Sequence, residues 1–134
     1  MDKLDFLSLL AFHMKDIILI HDLVPLAISR EPVLERVTYK NSQVAMSCFL
    51  DVRDGYVDVR FGPATNLNSD GLFKWPEYDT LESIGKILRF EGKSVPEGPK
   101  DLYADGKLEE AVTMLVQGLR DHEELVFGKK MNGK

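Results

Sequence analysis

The sequence predicts an α+β fold: an N-terminal helix, a three- to four-stranded antiparallel meander, and two C-terminal helices packed on one sheet face. Three observations carry that expectation. Val44, Met46, Cys48, Leu50 and Val52 occupy every second position, the period at which strand side chains return to one face. Asn41-Ser42 and Asp54-Gly55 punctuate this stretch with residues that favour tight turns. Apolar residues at helical spacing flank it, with Leu4, Leu7, Leu10, Ala11, Met14, Ile17 and Ile18 before it and Leu108, Val112, Leu115, Leu119 and Val126 after it.

Asp2 is placed to cap the first helix, which runs to about Asp22 or Leu23 before Pro25 stops it. Leu9, Phe12, Leu19 and Ile20 carry apolarity well round this cylinder. Such a helix is either central and covered on two sides or shared with a second copy. The expected state is therefore a monomer or a homodimer through this helix. His13 and His21 lie on it at a spacing poorly suited to two ligands of one metal ion. Pro25 to Pro32 reads as a connector.

In the meander, a two-residue turn at Asp54-Gly55 sets Val52 opposite Val57, Leu50 opposite Val59 and Cys48 opposite Phe61. The turn at Asn41-Ser42 sets Val37 opposite Met46 and Tyr39 opposite Val44. Asp51 then falls opposite Asp58 on the outer face, with Arg53 and Arg60 diagonal to them, as a solvated charge lattice. Glu35 points inward beside Cys48. It reads as an inward charge that protects an edge strand from aggregation, with a functional carboxylate as the rarer reading. Leu34 and Phe49 pair on an outer face that is otherwise polar and open to solvent or to binding.

Gly62-Pro63 ends the meander, and Ala64 to Asp79 is the most irregular stretch of the chain. Leu72 to Trp75 can form a short fourth strand that Pro76 ends. Asp79 opens the next helix with Glu82 at capping-box spacing, Leu81, Ile84, Ile87 and Leu88 form its buried stripe, and Gly92 stops it. A Pro- and Gly-bearing loop, Ser94 to Lys100, leads to a final helix from about Gly106 to Phe127, with Gly128 as its stop. His122 falls within its apolar seam and reads as a partly buried, hydrogen-bonded histidine. Residues 1–128 are expected to form one domain and 129–134 a flexible tail.

The 134 residues carry a net charge of −5, with 44% hydrophobic and 29% charged residues. The acidic balance argues against nucleic acid and suits a basic protein partner. A single cysteine excludes an internal disulfide. No leader-like segment is read at the N-terminus, and charges interrupt the first apolar run. The expectation is a cytoplasmic protein with no membrane partner. No motif for nucleophilic catalysis, phosphate cradling or a cofactor is present, so a binding role is favoured over catalysis.

The candidate partner-binding residues are Asp70, Phe73, Trp75, Glu77, Tyr78 and Asp79, aromatic anchors ringed by acids in a long loop. Asn66, Asn68, Asp70, Gly71 and Glu77 also follow the spacing of a calcium-binding loop. Asn in the first ligand position and Lys74 in another favour an Asx-rich turn over a metal site. The expected function is a small acidic module that binds a basic protein partner, with a toxin-neutralising immunity protein as one form. The alternative is a small enzyme or ligand-binding protein that uses Glu35, His13 or His122 in a cleft between helix and sheet.

Overall fold

A computed structural model describes residues 6–73 and 81–128. The order is α1 (Phe6–His13), α2 (Lys15–Ile20), β1 (Val24–Glu31), β2 (Leu34–Lys40), β3 (Val44–Asp51) and β4 (Tyr56–Pro63). A 3-10 turn (Ala64–Asn66), β5 (Glu82–Ser83), α3 (Ile84–Phe90), α4 (Pro99–Leu102), α5 (Lys107–Asp121) and α6 (Glu123–Phe127) complete it. The fold is α+β as expected, with helices packed on an antiparallel sheet. The sheet has five strands rather than three or four, in the order β1-β2-β3-β4-β5.

The extra strands arise where the sequence suggested none. Pro25 to Pro32, expected as a connector, is mostly strand β1. Pro25 lies beside a break in the register, between Pro25 and Ala27, on an edge strand where a missing N–H is tolerated. Glu35 is consequently not on an edge. The expected fourth strand at Leu72 is only a bridge between Leu67 and Phe73, and Lys74 and Trp75 lie outside the described residues.

Strand faces are as the alternation requires, but both hairpins are offset from the expected register. Leu50 faces Val57 rather than Val59, and Cys48 faces Val59 rather than Phe61. Likewise Val37 faces Cys48 and Tyr39 faces Met46. Side chains build longer turns than the dipeptides suggest. Asn41 Oδ1 accepts from the backbone N–H of Gln43 and of Val44, and Asp51 Oδ1 accepts from Asp54 N–H. Asp51 therefore opposes Tyr56, and Asp58 opposes Phe49. The expected pairs Asp51–Asp58 and Leu34–Phe49 do not form.

The helix-facing side of the sheet buries Val37, Tyr39, Met46, Cys48, Leu50, Val57 and Val59 against Phe6, Leu10, Met14 and α5 residues Val112, Leu115 and Leu119. The opposite side is not the solvated surface expected. Ala45, Thr38 and Ser47 are buried there, and β3 is covered almost along its whole length. The segment after β4 returns across this side. Gly71 lies against Leu26 and Ala27 of β1, while Phe73 and Leu81 close on Gly62 of β4.

The helices differ from expectation at their ends. The first is broken at Met14 into α1 and α2, and Phe12, Leu19 and Ile20 are exposed, so it is not a central helix covered all round. α3 starts at Ile84 with Ser83 as its cap, accepting from Lys86 N–H, and not at Asp79, which lies outside the described residues. The last helix breaks at His122, whose φ of −116° and ψ of 35° separate α5 from α6.

Candidate functional site

Two acids on the sheet have carboxylate oxygens taken from solvent, Asp58 fully buried and Glu35 half-buried, and their surroundings differ. Asp58 is fully buried. Its Oδ1 accepts from the backbone N–H of Val59 at 2.7 Å and of Gly85 at 2.8 Å. Its Oδ2 accepts from Tyr56 Oη at 2.8 Å and from Ser83 Oγ. Gly85 is required for this approach, since a Cβ there would stand 2.8 Å from Asp58 Oδ1. The Tyr56 phenol is raised above its ordinary value by burial first, then by the charge and hydrogen bond of Asp58, with Arg89 acting in the opposite sense. Asp58 thus fastens the start of α3 to β4. A carboxylate with this many donors is a structural staple.

Glu35 is the opposite case. It stands on the helix-facing side of β2, opposite Leu50. Its Oε1 is buried and has no hydrogen-bond partner among the described residues. It lines a cleft of about 580 Å³ between the sheet end, α1 and the α4–α5 corner. Phe6, Leu50, Val52, Leu102 and Leu108 make the apolar wall. Glu31, Glu35, Asp105 and Glu109 supply its charge, and no lysine or arginine stands among the described residues that line it. Arg30, opposite Glu35 in the register, does not line it.

The α4–α5 corner is held in place by two contacts. Tyr103 Oη donates to Val52 O at 2.7 Å, and Gly98 N–H donates to Gly55 O at 2.7 Å. Burial, followed by the charges of Asp51 and Glu35, raises the Tyr103 phenol above its ordinary value, so it remains a donor. At the other rim, His13 Nε2 lies 3.1 Å from Glu109 Oε2 and Arg120 donates to His13 O. Chemically, the cleft offers one buried acceptor, a phenol and a rim of carboxylates around an apolar wall.

The histidines are structural partners rather than a cluster. His21 Nε2 lies 2.7 Å from Glu123 Oε2, and its ring stacks on Phe127 at 3.8 Å. His122 Nε2 lies 2.9 Å from Glu91 Oε2, an ion-pair distance outside hydrogen-bond geometry. Of the three, only His13 approaches the cleft. Cys48 is fully buried, and burial followed by the charge of Asp58 pushes its thiol well above the ordinary value, which leaves it unreactive.

Of the candidate partner-binding residues, Asp70 is exposed and Phe73 half-buried against β4. Trp75, Glu77, Tyr78 and Asp79 lie outside the described residues. Asn68 and Asp70 both accept from Leu72 N–H, and Gly71 N–H donates to Asn68 O. The stretch from Asn68 to Leu72 is an Asx-type turn, with Gly71 at φ +82°. Asp58 was misread from the sequence as a surface charge, because β5 and the Gly85 N–H that enclose it come from distant sequence. The available signal for the cleft was the inward position of Glu35. Tyr103, Asp105 and Glu109 gave none of their own.

No family model, curated protein or solved structure matches this chain.

Proposed function

We propose that this protein binds a ligand in the helix–sheet cleft beside Glu35. The observation that carries the reading is the buried Oε1 of Glu35, without a hydrogen-bond partner among the described residues, in the wall of a cleft of about 580 Å³. A buried carboxylate oxygen without a donor costs stability, and a native fold keeps few of them without a use. The cleft lies in the size range of small-molecule sites, and it combines apolar walls with a few polar groups as such sites do. No serine, threonine, cysteine, lysine or histidine stands among the described lining residues, so binding is favoured over covalent catalysis.

The test is a fragment screen read by thermal shift on the full chain, repeated with Ala104→Trp. Ala104 is exposed and lines the cleft, so an indole there fills the site without entering the core. A ligand at one hundred times its Kd adds about 2.7 kcal/mol of stability. Fragments that stabilise the natural chain should leave Ala104→Trp unmoved. Equal shifts in both proteins would place binding elsewhere and end this reading.

A second reading, a module for a basic protein partner, is supported by the outer edge of β1. Val24, Leu26 and Ile28 are exposed on this edge strand, and the acidic Asp70 turn abuts it through Gly71. Exposed edges are templates for pairing with another chain. In the narrow form of this reading the partner is a toxin domain. Ile28→Lys should then abolish protection against that toxin while Ala104→Trp preserves it; the reverse pattern favours the cleft.

A further inference from the structure

We infer that the ligand of the cleft is an organic cation, a small molecule carrying an ammonium group on an apolar body, with Glu35 as its counter-ion. The inference rests on the cleft reading and adds the chemical class of the ligand. Charge complementarity selects it. Among the described residues the lining holds Glu31, Glu35, Asp105 and Glu109 and no lysine or arginine, so the charged side chains of the cleft favour a cation over an anion. Glu35 Oε1 is an acceptor without a donor among the described residues, and an ammonium supplies donors only. The remaining wall, Phe6, Leu50, Leu102 and Leu108, rewards an apolar body rather than a hydrated metal ion. A volume of about 580 Å³ exceeds the needs of one inserted lysine chain and suits a free molecule.

Neighbouring groups shape the site further. Glu109 is already drawn toward His13 at 3.1 Å, which leaves Glu35 as the acid best placed to face a ligand. Tyr103 spends its hydroxyl proton on Val52 O, so its oxygen remains available only as an acceptor, again suited to a donor-bearing ligand. Asp105 and Glu31 lie at the mouth and are exposed, where they attract a cation from solution.

The experiment is an NMR titration of the full chain with three probes that share a body. They are phenethylamine, 2-phenylethanol and 3-phenylpropanoate, followed through the methyl signals of Leu50, Leu102 and Leu108. The amine should shift these methyls at least tenfold more tightly than the alcohol, and the acid should not shift them. Glu35→Gln should weaken the amine at least tenfold and leave the alcohol unchanged. Glu124→Gln, which removes the same charge at an exposed position outside the cleft, should change nothing. Equal binding of amine and alcohol, or preference for the acid, overturns the cation assignment while leaving the cleft as a binding site. Absence of cleft shifts with all three probes overturns the assignment and, together with a blank fragment screen, the cleft reading as well.

Discussion

Asp58 on β4 and Glu35 on β2 lie on opposite faces of one sheet, and both have carboxylate oxygens withdrawn from water, yet the fold treats them in opposite ways. Asp58 meets two hydroxyls and two backbone N–H groups, one of them at the first turn of α3. Glu35 keeps a buried oxygen with no donor among the described residues, on the wall of a cleft. The lesson is that burial of a charge by itself does not mark function. The first carboxylate is consumed by the fold it holds together. The second has unspent hydrogen-bonding capacity and room in front of it.

The largest test of this contrast is the removal of Asp58. Asp58→Ala removes the acceptor of the buried Gly85 N–H and of the half-buried Tyr56 and Ser83 hydroxyls, and a buried group left unpaired costs on the order of 1–3 kcal/mol. After partial relaxation the expected loss is about 3 kcal/mol, or roughly 10 °C in melting temperature for a chain of this size. Calorimetry or urea unfolding at neutral pH measures it. A loss below about 1 kcal/mol would mean that the cluster is ornamental and that the contrast has no energetic content.

A pH scan sharpens the comparison at intermediate size. Each acid stands near a phenol that burial raises first: Asp58 adds to the rise at Tyr56, and Asp51 and Glu35 add to it at Tyr103. Tyr39 is pushed up to about 12 by burial and then by Cys48. A phenol whose value is raised in the fold holds its proton more tightly there than in the unfolded chain. Its contribution is complete below pH 10 and is lost as pH rises through the folded value, between 10 and about 12 for Tyr39. Stability should therefore fall steeply in that window, and Tyr39→Phe should flatten the fall. An unaltered alkaline limb in Tyr39→Phe would show that another group controls it.

Smaller still is the clasp at the cleft corner. Tyr103→Phe removes the donor to Val52 O, a partly exposed bond, and should cost about 1 kcal/mol. If the clasp holds the corner, the same variant weakens cleft ligands while fragments bound elsewhere are unaffected.

How much of this was legible in the sequence follows from what each feature depends on. The strand faces were readable because Val44, Met46, Cys48 and Leu50 repeat with period two, and that pattern survives any register shift of two residues. The same insensitivity hid the true register, which Asn41 and Asp51 set by accepting turn N–H groups. β1 was hidden because Pro25, Arg30 and Pro32 resemble a linker. Only the bulge and the edge position make that composition compatible with a strand. Glu35 was identified as an inward carboxylate, since parity alone decides its face. Its cleft was not, because Tyr103, Asp105 and Glu109 reach it through the α4–α5 corner, whose position depends on contacts distant in sequence. Asp58 was placed on the wrong side of the solvent boundary for the same reason.

The smallest expected effect discriminates best. Glu35→Gln keeps the shape of the side chain, removes its charge and gives its amide two donors in place of an orphaned acceptor. If Glu35 is unspent in the free protein, nothing is lost on unfolding, and stability should stay within about 0.5 kcal/mol or rise as the buried charge disappears. If instead Arg30, which opposes it across β1 and β2, serves as its ion-pair partner, the substitution should cost clearly more, and the cost should shrink in high salt. Urea unfolding of the natural chain and the variant at low and high salt separates the two cases. A neutral or stabilising result joined to the loss of amine binding assigns the charge of Glu35 to a ligand. A destabilisation approaching that of Asp58→Ala would make the two carboxylates alike and dissolve the contrast between them.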